Sequence, residues 1–140
     1  MNGNLVAVLL LVGTGCAAGP AEELQARGDL PLSVAVDVSV QKNAEPNVTI
    51  TARLTNLGAE PLNLQVRCSV IEIDQAQAGT WQRLGDLRLC TPRSQETLPA
   101  GARLTTTDAR SLSPGTYRVV IEGSDGRTAL SEPFIVPALR

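Results

Sequence analysis

The chain has 140 residues, with 12 basic and 14 acidic side chains, a formal charge of -2 and 43% hydrophobic residues. That balance excludes wholesale disorder and a fibrous repeat, and the length suits one domain with a real core. Histidine is absent and Trp81, Tyr117 and Phe134 are the only aromatics, which argues against nucleic-acid binding and removes the commonest general base and metal ligand.

Residues 5–12 (LVAVLLLV) form an unbroken apolar run. A spanning helix needs roughly 18 or more such residues, whereas the apolar core of a secretory signal needs roughly 7–15. Small residues follow at once: Gly13, Thr14, Gly15, Cys16, Ala17 and Ala18. This stretch resembles the lipobox of bacterial lipoproteins, where a small residue precedes a cysteine that is lipidated and becomes the mature N-terminus. The resemblance implies a signal over 1–15, lipidation at Cys16, a tether over 16–31 and a place in the bacterial cell envelope. An ordinary signal cut near Ala18 and a buried N-terminal strand are the rival readings.

From Leu32 the period becomes two. Val34, Val36, Val38 and Val40 alternate with small or polar residues, then Val48, Ile50, Ala52 and Leu54 do the same after a turn at Asn43 and Pro46. Residues 56–61 (NLGAEP) turn again, and 62–73 reads as one longer third strand. Residues 75–80 read as a polar tip, Trp81 begins a short returning strand, and 90–99 is the least regular stretch. Residues 102–109 read as a Thr-rich strand and 117–122 as the next. The Asp125-Gly126 pair marks a hairpin, and 128–136 is the last strand. About seven strands with turns every 8–14 residues describe an all-β antiparallel sandwich over 32–137, with a closed barrel as the alternative.

Removing Cys16 from the odd cysteine count leaves an even pair. Cys68 continues the apolar face of Leu64 and Val66, and Cys90 closes the run Leu87-Arg88-Leu89. The expectation in an exported protein is a Cys68–Cys90 bridge, against two separate buried thiols.

Residues 112–119 (LSPGTYRV) contain L-x-P-G-x-Y, which looks like the approach to the penultimate strand of immunoglobulin-like and fibronectin-like domains. The order of residues 79–81 (GTW), 98–101 (LPAG) and 131–136 (SEPFIV) is similar to that of bacterial immunoglobulin-like domains. The resemblance implies a structural corner, in which the Tyr117 hydroxyl turns back to upstream backbone. A tyrosine merely packed in its strand is the alternative.

Chemistry is sparse. Without histidine a base falls to a carboxylate or to Lys42, the only lysine. Glu72 and Asp74 form the one close carboxylate pair on a strand. As a glycosidase pair they lack aromatic sugar platforms, and as a calcium site with Asp86 they lack a D-x-D-x-D-G loop. They are expected on a solvated strand face, with Asp37, Glu45, Glu60, Asp86, Asp108 and Glu122 scattered over outward-facing positions and turns. No catalytic residue, metal or cofactor is expected. The reading is a non-catalytic, lipid-anchored envelope module that binds or spaces a protein or an envelope polymer, without nucleic acid. The alternative is an extracytoplasmic proteinase inhibitor presenting the loop around Arg93.

Overall fold

The computed structural model describes residues 29–85, 90 and 93–138. The expected signal, the lipidation site Cys16 and most of the tether lie outside the described residues. Those described are all-β, in ten strands and three antiparallel sheets. One sheet runs in the order β1 (Leu32–Val40), β2 (Val48–Asn56), β7 (Arg103–Arg110). The second runs β10 (Phe134–Val136), β8 (Gly115–Glu122), β4 (Ile71–Gln77), β5 (Thr80–Arg83), with β9 (Thr128–Leu130) also on β8. The third is a two-stranded ribbon of β3 (Leu62–Val66) and β6 (Ser94–Leu98).

Alternation explains the packing. Val48, Ile50, Ala52 and Leu54 on β2 are fully buried, as are Ile71 and Ile73 on β4 and Val119 and Ile121 on β8. They form one core between the first two sheets, each large aliphatic side chain contributing roughly 1.5–3 kcal/mol of transfer free energy. The arrangement is sandwich-like.

The strand count differs from the expected seven for readable reasons. Residues 62–73 are two strands, not one. Apolar residues occupy even positions through Val70, then odd positions from Ile71, and one strand cannot bury both parities on one face. Cys68 therefore sits between β3 and β4 instead of continuing the face of Leu64. The last strand is likewise divided, because Ser131-Glu132-Pro133 separates β9 from β10 and proline cannot donate to a ladder. The stretch 90–99 contains β6, and the expected tip 75–80 narrows to Ala78 and Gly79, both at positive φ (52° and 84°). Leu30 is buried and donates its amide to the Thr128 carbonyl at 2.8 Å.

Strand register defines two ends. Leu32 pairs with Asn56 at the end where the chain enters, and Val40 pairs with Val48 at the other. Val48 in turn faces Arg110, and Val136 faces Gly115. Nine residues of β1 separate the ends, which is about 30 Å at the rise of a strand.

Candidate functional site

The end remote from chain entry holds an open cleft of about 470 Å³. The β1–β2 turn forms one wall through Gln41, Lys42 and Glu45, the β7–β8 loop forms another through Ser111 and Ser113, and Val136 and Pro137 complete it. Three side-chain contacts fix these walls. The Asn47 amide donates to the Leu112 carbonyl and accepts from its amide, both at 2.9 Å, imitating one rung of a ladder. Ser111 Oγ donates to Glu45 Oε2 at 2.5 Å. The Tyr117 hydroxyl donates to the Ser113 carbonyl at 2.6 Å, and its ring stacks on Phe134 at 6.0 Å. The Tyr117 side chain thus turns back to upstream backbone four residues away.

Glu72 and Asp74 do not lie on a solvated face. Asp74 is 5% exposed and accepts from Arg83 Nε at 2.6 Å and Arg118 Nε at 3.0 Å. The Arg118 guanidinium lies 4.4 Å from the centre of the Trp81 ring, a cation–π contact in a nearly dry setting. Asp108 is also buried. It accepts from Arg110 Nε at 2.9 Å and Ser69 Oγ at 3.1 Å, while Arg110 Nη2 donates to the Ile71 carbonyl at 2.8 Å. These contacts tie β7 to the start of β4 across the edge of the sandwich. The physical reason is desolvation: a carboxylate drawn under a sheet persists as a charge only when arginine meets it.

Glu72 is placed differently. Arg67 stands 3.7 Å from both Glu72 and Glu122, one cation shared by two carboxylates. Burial pushes the Glu72 carboxyl above its usual range, against the opposing pull of Arg67, Arg83 and Arg110. Of the imagined calcium ligands, Asp86 is outside the described residues and Asp74 is held by arginines. No cluster of three or more metal-ligating side chains occurs among the described residues.

Cys68 and Cys90 are joined, with Cα atoms 5.3 Å apart. The bridge lies beyond the Val66–Ser94 rung of the β3–β6 ribbon. Arg93 is exposed beside it, whereas Ser94 and Gln95 are strand residues paired with Val66 and Gln65.

No protein-family model matches the chain, and no curated protein does. A Northeast Structural Genomics Consortium target solved by X-ray crystallography is similar over 79% of this chain and 88% of its own, with a TM-score of 0.50 and 16% identity. That likeness is one of fold alone. An ApaA-designated protein of Bordetella pertussis matches 78% of this chain and 94% of its own at 21% identity and a TM-score of 0.42. A glucose-bound β-glucosidase from Listeria innocua matches 76% of this chain and 16% of its own at 11% identity and a TM-score of 0.40. Neither of these two carries an argument about function.

The cleft was not visible in the sequence, because Asn47 and Leu112 are 65 positions apart. The buried ion pairs left a faint signal. Asp74, Trp81 and Arg83 fall on one hairpin, with Asp74 opposite Arg83 and also opposite Arg118.

Proposed function

We propose that this protein is a non-catalytic, lipid-anchored immunoglobulin-like module of the bacterial cell envelope, binding or spacing a protein or envelope polymer. The observation that supports it is the opposition of the two ends. The chain enters at Leu32, and the clamped cleft of Lys42, Glu45, Ser111 and Ser113 opens at the other end of β1. A domain held through Cys16 would turn that cleft away from the bilayer. Its walls are fixed before any partner arrives, which lowers the ordering cost of association. The carboxylates best buried, Asp74 and Asp108, are already bound to arginines and are poor candidates for proton transfer.

A photo-crosslinking residue at the exposed position of Lys42, in cells, tests the reading. Covalent adducts of discrete mass are expected there, and they should disappear when Ser111 and Ser113 are both replaced by Trp. Adducts that persist in the double variant, or that form equally at exposed Arg127 at the opposite end, would count against the cleft.

One observation favours the inhibitor reading as a second choice. Arg93 is exposed and braced on one side by the Cys68–Cys90 bridge and on the other by β6. Inhibition of a trypsin-like proteinase that is lost in Arg93→Ala would establish it.

A further inference from the structure

The end of the molecule where the chain enters carries its own surface. Leu57 is 68% exposed, one of two large hydrophobic residues left in water among those described. Its backbone is not loose. Its amide donates to the Pro31 carbonyl at 2.9 Å, and the preceding Asn56 is almost fully buried. The Asn56 side chain donates to the carbonyls of Glu60 and Leu98 at 2.8 and 3.0 Å and accepts from the Gly58 amide at 2.9 Å. The Gly101 amide donates to the Asn56 carbonyl at 3.0 Å. One buried amide thus fixes two neighbouring turns, 57–59 (LGA) and 99–101 (PAG), which expose Leu57, Ala59, Pro99, Ala100 and Gly101 without a charge among them.

A fixed turn that holds a leucine outward is a different feature from a stray apolar side chain on a loop. We propose that this uncharged pair of turns is a lipid-contacting surface, with Leu57 entering the headgroup–acyl boundary of the bilayer to which the chain is tethered. The inference rests on the lipid-anchored reading, and the chain itself supplies the argument. Twelve residues, 17–28, separate Cys16 from Asp29, and that many residues can reach at most about 40 Å. In an anchored chain this is the end at which the lipid-bearing segment joins the domain. A tethered patch meets its surface at high effective concentration, so a contact too weak to act alone becomes populated. The bordering charges are Asp29, Glu60 and Asp125 against Arg103 and Arg127, with Asp125 and Arg127 paired at 2.7 Å. This rim offers no excess of positive charge for anionic headgroups. The contact is apolar, and it should be as strong on phosphatidylcholine as on phosphatidylglycerol.

The test uses the full chain from the membrane fraction, reconstituted in phosphatidylcholine vesicles with brominated acyl chains. Leu57→Trp is compared with Lys42→Trp at the opposite end, and the signal of Trp81 in the parent is subtracted from both. About twofold quenching is expected for Leu57→Trp and none for Lys42→Trp. Equal quenching, or none at either position, overturns the surface. Shielding of Leu57→Trp from an aqueous quencher in vesicle-free protein would assign the patch to a second copy of the chain and overturn the lipid assignment. Mass spectrometry of the same samples separates the two ideas. An acylated Cys16 with unquenched Leu57→Trp overturns the contact alone, and quenching in protein without an acyl group overturns the anchor alone.

Discussion

Arginine decides which carboxylates matter to stability. Asp37 pairs with Arg53, but their side chains are 72% and 50% exposed, and such surface pairs contribute roughly 0–1 kcal/mol. Asp74 and Arg118 are each 7% exposed at the side chain, and breaking a buried pair from one side costs roughly 3–5 kcal/mol. Asp74→Asn is therefore expected to lower unfolding free energy by about 3 kcal/mol in urea titrations, and Asp37→Asn to leave it within about 1 kcal/mol. Tyr117→Phe should cost roughly 1–3 kcal/mol, because the Ser113 carbonyl loses its donor. A loss within error would mean that the hydroxyl does not hold a strand corner. Glu72 works in the opposite sense. Its carboxyl is raised above the ordinary 4.5 chiefly by burial, so the fold favours its protonated form. That contribution is present below the ordinary value and lost as pH rises through the raised one. Glu72→Gln should accordingly be more stable than the parent at pH 7, with the difference vanishing by pH 4; an equal gain at both pH values would contradict the assignment.

At the scale of elements, the ribbon of β3 and β6 depends most on covalent support. Its β6 residues 94–97 are all exposed, leaving Leu98 as the strand's one buried side chain. The Cys68–Cys90 bridge closes a separation of 22 positions, worth about 3 kcal/mol by the chain-entropy argument. Reduction should lower the melting temperature, and amide exchange should rise first at 94–97, ahead of β2. Simultaneous loss of protection throughout would show that the ribbon is not a separate unit. The long strands β1 and β2 were legible because their alternation keeps one parity over nine residues. The β3–β4 break was written as a parity change at Val70-Ile71, which the continuing polar residues Arg67 and Ser69 masked. The covered second face of β8 was not legible, since Arg118 is a surface residue by type and becomes buried only by meeting Asp74 and Trp81.

The whole molecule is organised by its two ends, and the anchor reading is tested there. Envelope protein should begin at an acylated Cys16 by mass spectrometry, and an unmodified chain starting at Met1 in the cytosol would remove the basis for that orientation. The register of β1 and β2 adds a mechanical consequence. Leu32 and Val40 mark opposite ends of one nine-residue ladder, and its hydrogen bonds run perpendicular to the strands. A load applied between the entering chain at Leu32 and the far end of β7 past Arg110 would pull β1 and β7 in opposite directions along the strands, on either side of β2. It would strain the whole row of bonds together in shear, instead of unzipping them one by one.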